Sequence, residues 1–183
     1  MPSPEATAAL VVRAQQGEPA AFTALVRAHL RAAYAVALAV VGRPADAEDV
    51  AQDAFLIAFQ RIDTCREPAR FVGWLLQIVR NQSRNWVAKR RFRDVPAQDE
   101  TPDRGAEPNM PDTALRQHLL DVLSRLTAPQ REVVLLHDLD GWTHPEIAAS
   151  LGISEVMSRQ HLFVARRELR ARLDGTIFEV DHG

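Results

Sequence analysis

Residues 94–112 read DVPAQDETPDRGAEPNMPD, and no other stretch restricts the fold so strongly. Four prolines (Pro96, Pro102, Pro108 and Pro111) lie among six acids and one base, with almost no large apolar residue. Such a segment cannot bury enough surface to offset the entropy of ordering it. It reads as a flexible acidic linker between blocks at 1–93 and 113–175, with a tail at 176–183 that is too short for a sensing domain. A chain of 183 residues suits one ordinary domain or two small ones, and the linker selects the second.

Both blocks place apolar residues at helical spacing, and neither shows strand alternation. With 8 glycines and 6% aromatics, the chain is also poorly suited to a β-sandwich or barrel. The expected fold class is all-α, as two small helical domains. In the first block helices are expected over about 5–16, 19–41, 44–61 and 68–92. The second carries the stripe Phe22, Leu25, Val26, Leu30, Tyr34, Leu38 and Val41, with Pro19 in its first turn. The third opens at Pro44 with Asp46, Glu48 and Asp49, acids that complement the positive helix end, and takes Val50, Ala54, Phe55, Ile57 and Phe59 as its apolar side. The fourth begins with Phe71, Val72, Trp74, Leu75, Ile78 and Val79, then turns abruptly basic.

The second block starts with an amphipathic helix carrying Leu115, Leu119, Leu120, Val122, Leu123 and Leu126. Thr127-Ala128-Pro129-Gln130 is a start signal for a helix over 131–139, broken at Asp140-Gly141. Thr143 and Glu146 have the spacing of a capping box, opening a short helix over 144–150 that ends at Leu151-Gly152. Ser154 caps a last helix to about 173. Two helices joined by a glycine-containing turn, the second basic and preceded by a supporting helix, make a helix-turn-helix.

The net charge of −2 looks unfavourable for nucleic acid, but its distribution is what a polyanion meets. Residues 80–93 hold Arg80, Arg84, Lys89, Arg90, Arg91 and Arg93 and no acid, a net +6. The linker is −5, and residues 159–172 are +4, with five arginines against Glu168. In the last helix Ser158, Leu162, Ala165, Leu169 and Leu173 share a stripe that should face the other helices. Val156, Gln160, Phe163, Val164, Arg167 and Arg170 fall opposite, with Arg159 and Arg166 on the border. Arginine and glutamine there suit base edges or phosphates, while Phe163 and Val156 suit a thymine methyl or a partner protein.

Other chemistry is thinly represented. Cys65 is the lone cysteine, which excludes an intramolecular disulfide framework and a multi-cysteine zinc site. The six histidines, His137 and His144 among them, show no metal-ligand spacing and suit surface or packing roles. No Gly-rich phosphate loop is present, no cofactor is expected, and an enzyme is the weakest reading. No uninterrupted apolar run approaches the roughly 20 residues that cross a bilayer. The first residues lack a secretory signal pattern, so a cytoplasmic protein is expected.

Two blocks carry a specific likeness. DAEDVAQDAFLIAF (46–59), FVGWLLQIVRN (71–81) and RNWVAKRR (84–91) resemble region two of bacterial extracytoplasmic-function (group IV) RNA polymerase sigma factors. LTAPQREVVLLHDLDGWTHPEIAASLGIS (126–154) resembles their region four. The resemblance covers about 10–93 and 115–173. It implies that Asp46, Glu48, Asp49, Gln52 and Asp53 dock on the clamp of core RNA polymerase, beside any helix-start role. It implies that Arg80, Asn81, Arg84, Asn85, Lys89 and Arg90 meet the −10 promoter element, with Trp86 either stacking on an unpaired base or packing. Residues 62–69, which include Cys65, stand where relatives capture a flipped base. Arg159, Gln160, Phe163, Arg166 and Arg167 would read the −35 element. This face departs from the family pattern at Val156, Phe163 and Val164, and Ser158 stands where an apolar core residue is usual. The linker would thread the positively lined polymerase cleft, and an anti-sigma factor is an expected partner.

Two other readings compete. A stand-alone helix-turn-helix regulator with a helical sensor domain would bind a palindrome as a dimer, but would have no need of the acidic third helix. An adaptor that binds only protein would use the apolar outward residues of the last helix.

Overall fold

The computed structural model describes residues 3–93 and 112–177. Linker residues 94–111 and tail residues 178–183 lie outside the described residues. The first half contains α1 (Pro4–Gln15), α2 (Pro19–Val41), α3 (Pro44–Gln60) and α4 (Phe71–Arg93). The second contains α5 (Asp112–Ser124), α6 (Ala128–Val134), α7 (His144–Leu151) and α8 (Glu155–Ile177). No strand forms among the described residues. Each of α1, α2 and α3 has proline in its first turn, where the missing N–H has no intrahelical partner to lose. Gly42 ends α2 and Gly152 ends α7 in the left-handed conformation, at φ 75° and 67°.

Several boundaries differ from the sequence expectation, and α8, expected to about 173, runs to Ile177. Residues 68–70 form a separate 3-10 turn ahead of α4, after a first such turn at Ile62–Thr64. The helix expected over 131–139 starts at Ala128, where the Thr127 N–H donates to Gln130 Oε1 at 3.0 Å, and loosens into a π-helical turn at Leu135–Leu139. Within that turn Leu136 is fully buried while His137 and Asp138 face outward, half-buried and exposed.

α2 is the central helix of the first half, packed by α1, α3 and α4. Its buried side is wide and alanine-rich: Ala32, Ala33, Ala35, Val36, Ala37 and Ala39 have no exposure. The stripe read from sequence is therefore only partly right, since Leu30 is exposed and its neighbour His29 is buried. A helix enclosed on several sides buries most of its circumference, and a single-stripe reading misses that. α2 is also the one described helix long and apolar enough to cross a membrane, yet Arg27 and Arg31 interrupt it and it sits within the bundle. In the second half α8 packs on α5, α6 and α7, and the inward stripe read by helical angle faces them. Ser158 and Ala165 have no exposure, Leu162 is buried, and Leu169 packs against the core.

The two halves dock on each other through α2 with α6 and α4 with α7. Arg80 Nε and Nη2 donate to Glu132 Oε1 at 2.9 and 2.5 Å, and Nη2 also donates to Ser150 Oγ at 2.9 Å. Arg80 is 6% and Glu132 4% exposed, so this ion pair is buried between the halves. Arg131 Nε reaches the Ala39 carbonyl at 2.7 Å, and Arg31 Nη2 reaches the Leu139 carbonyl at 2.5 Å.

Candidate nucleic-acid interface

α3 turns Val50, Ala51, Ala54, Phe55 and Ala58 inward, which leaves Glu48, Asp49, Gln52 and Asp53 exposed. Leu56 lies among them at 61% exposure, an outward apolar residue that the stripe reading did not single out. Phe59, read as part of the apolar side, is 55% exposed and meets Phe22 edge to face. Asp46 is engaged differently. Its Oδ2 accepts from Arg90 Nη1 at 2.6 Å and lies 4.0 Å from Arg43 Nε, tying the start of α3 to the far end of α4.

The basic set on α4 is likewise divided by the fold. Asn81, Arg84, Asn85 and Lys89 are exposed on one face of the helix. Arg80, expected among them, is instead buried against Glu132. Position 80 faces the bundle one turn after Leu76, and only a partner at position 132 makes its charge tolerable there. Burial pushes the Glu132 carboxyl up, while the hydrogen bond and charge of Arg80 pull it down. Arg90 is held by Asp46, and Trp86 is half-buried against the core cluster. Glu132 was not singled out in the sequence. The one available signal was its place four residues before Leu136, on the face of α6 that buries.

The 62–69 segment forms the two 3-10 turns, with Cys65 buried and its Sγ 3.7 Å from the Glu67 carbonyl. Burial pushes the thiol up, away from a reactive thiolate. These turns, with α1, α2, α4 and α7, line a half-open cleft of about 810 Å³ between the two halves.

The capping box is present at α7: Thr143 N–H and Oγ1 donate to Glu146 Oε2 at 2.8 and 2.7 Å. Met157 N–H donates to Ser154 Oγ at 3.2 Å at the start of α8. The outward face of α8 carries Val156 at 69% exposure, Met157 at 44% and Phe163 at 66%, with Arg159, Gln160 and Arg167 also exposed. Val164, read as outward, is half-buried. Arg159 pairs with Glu155 at 3.0 Å, and Arg166 forks onto Asp138. Buried Ser158 shares a 2.9 Å hydrogen bond with His144 Nδ1, so its hydroxyl is satisfied where an apolar residue is usual. Burial first, and His137 beside it, hold His144 below the usual histidine range.

The structure thus combines an acid-faced helical bundle, a basic surface helix and a helix-turn-helix, the arrangement of a candidate nucleic-acid-binding protein. The Sigma-70 region 2 model matches residues 25–93, and the Sigma-70, region 4 model matches 116–169. The ECF RNA polymerase sigma factor SigL of Mycobacterium tuberculosis is 34% identical over 166 residues, 86% of this chain and 93% of SigL. The probable RNA polymerase sigma factor RfaY of Xanthomonas campestris pv. campestris is 34% identical over 163 residues, 84% of this chain but only 40% of that longer protein. The solved structure of CnrH in complex with the cytosolic domain of CnrY superposes at TM-score 0.68 with 28% identity, covering 93% of this chain and 98% of CnrH. The chain belongs to the extracytoplasmic-function group of sigma-70 RNA polymerase sigma factors, proteins that bind core RNA polymerase and direct promoter recognition and transcription initiation.

Proposed function

We propose that the work is divided by residue as follows. Residues 1–93 dock core polymerase and meet the −10 element, residues 113–175 meet the −35 element, and 94–112 tether them. Glu48, Asp49, Gln52 and Asp53, around exposed Leu56, form the docking face. Asn81, Arg84, Asn85 and Lys89 contact −10 DNA, and Arg159, Gln160, Phe163, Arg166 and Arg167 contact −35 DNA. The observation that carries this reading is the segregation of exposed charge, acidic along α3 and basic along α4. An apolar residue ringed by polar ones is the usual anatomy of a protein interface, and a basic face with amide side chains suits a phosphate backbone. Two modest contacts joined by a tether gain affinity through effective concentration. The protein acts as a non-catalytic binding factor in the cytoplasm.

CnrH is solved with the cytosolic domain of CnrY, and a comparable anti-sigma partner is inferred for this chain. Val72, Trp74 and Ala149 in the inter-half cleft offer such a partner apolar surface.

The docking face is tested with Asp49→Arg. The variant is expected to keep the wild-type circular dichroism and melting point but to lose co-purification with core polymerase. A folded variant that still co-purifies refutes the face.

A further inference from the structure

Asp138 lies off the recognition helix, in the π-helical turn that follows α6, yet its carboxylate holds an arginine of α8. Oδ2 accepts from Arg166 Nε at 3.0 Å and Oδ1 accepts from Nη2 at 2.5 Å. We propose that Asp138 is a positioning residue for promoter reading, buttressing Arg166 so that another edge of its guanidinium meets paired acceptors on a guanine. The proposal rests on the reading of Arg166 as a −35 contact.

The geometry supports it in three ways. The fork consumes Nε–H and one Nη2–H of the five guanidinium N–H groups, which leaves the second Nη2–H and an Nη1–H as a further two-donor edge. Both partners are partly exposed, Arg166 at 44% and Asp138 at 36% of their side chains, so the pair is accessible to a ligand from solvent. Asp138 is itself braced. Its Oδ1 lies 2.8 Å from His137 Nδ1, the His137 ring lies 5.0 Å from the His144 ring at a tilt of 33°, and His144 is hydrogen-bonded to buried Ser158. This relay touches α8 at Ser158 and again at Arg166, two turns apart, so helix and guanidinium share one rigid frame.

The placement is otherwise hard to understand. A carboxylate beside a DNA-facing arginine opposes the phosphate field and lowers sequence-independent affinity. What it supplies is order. A free arginine surrenders much rotamer freedom on binding, whereas a held fork has already surrendered it. Phosphate contacts do not need that order, because they carry no sequence information. Bidentate recognition of guanine O6 and N7 does. The acid therefore trades general affinity for discrimination. The signs of those two effects are opposite, and that separates positioning from simple electrostatics.

The test uses full-length protein assembled with core polymerase on linear templates randomised across the upstream promoter element, with transcripts sequenced to give a preference at each position. Wild type is expected to prefer guanine at one position. Arg166→Ala and Asp138→Asn should each reduce that preference at least about fivefold. Asp138→Asn should at the same time leave unchanged or raise retention on calf-thymus DNA at low salt, since an acid has been removed. In the Arg166→Ala background Asp138→Asn should not change the base preference further. Asp138→Ala also removes the paired acceptors while leaving Arg166 intact and should behave like Asp138→Asn, so the question is answered even if the asparagine chain folds poorly. If Arg166→Ala leaves all preferences intact, the Arg166 contact fails and the proposal with it. If Arg166→Ala loses the preference but Asp138→Asn and Asp138→Ala keep it, the contact stands and the positioning role is overturned. An Asp138→Asn loss spread evenly over all templates, or additive with Arg166→Ala, marks a merely structural residue and also overturns it.

Discussion

His29 occupies the middle of α2 with both ring nitrogens buried and no hydrogen-bond partner among the described residues. Burial drives its pKa down to about 4, so the folded protein holds it neutral. In the unfolded chain it takes a proton near pH 6.5, as histidine ordinarily does. Between these values the unfolded state binds more protons, so stability falls as pH drops through about 6.5 and the loss is complete near pH 4. Between pH 7 and pH 5 the loss amounts to about 2 kcal/mol from this residue. Urea titrations at the two pH values check it: His29→Leu is expected to remove that part of the pH dependence, and an unchanged dependence would refute the assignment. The sequence placed His29 next to the apolar stripe rather than in it. Its burial depends on which neighbours enclose α2, and those are far away in sequence. Ser158 illustrates the complement. Its place on the buried stripe was legible from helical angle alone, while its partner His144 was not.

Among the elements, helix starts were read well because their signals are local. Proline at the first turn, the Thr143–Glu146 box and Ser154 all act within four residues. Thr143→Ala should cost roughly 1 kcal/mol through the lost cap of α7, seen as a lower thermal midpoint of the second half. The π-helical turn at Leu135–Leu139 had no such signal, and a regular helix was expected there. On α4 the element itself was legible and its use was not. The structure leaves Arg84 and Lys89 exposed with Asn81 and Asn85, whereas Arg80 and Arg90 are engaged within the protein. Arg84→Ala and Lys89→Ala should each weaken holoenzyme binding to a promoter and lower the magnitude of the log–log salt slope by about 1. Arg80→Ala, by contrast, should act first on folding or docking. Filter binding over a salt series distinguishes the two, and an unaltered slope for Lys89→Ala counts against its phosphate contact.

For the molecule as a whole, the docking of the two halves is the principal result that a linker-centred reading did not anticipate. The linker predicted two separable domains, and the structure brings them together over the buried Arg80–Glu132 pair, the Arg131–Ala39 bond and the Arg31–Leu139 bond. Removing one member of a buried pair strands the other charge, at about 3–5 kcal/mol. Glu132→Ala should therefore separate the halves before it unfolds either one, raising the radius of gyration measured by small-angle X-ray scattering. Replacing both residues, as Arg80→Met with Glu132→Leu, should restore much of the compactness, since no charge is left unpaired. Equal dimensions for wild type and Glu132→Ala would mean that the pair does not hold the halves together.

By itself the sequence determined the helices, the acidic break between them and the helix-turn-helix, because each rests on periodicity or on signals spanning a few residues. It also carried the family likeness through contiguous motifs. Only the tertiary structure decided which charges remain available. Asp46 and Arg90 meet across 44 residues, Arg80 and Glu132 across 52, and Asp138 and Arg166 across 28. The physical reason is that a charged side chain is used by whatever reaches it first at low cost. That partner is chosen by how helices pack, and no local pattern records it.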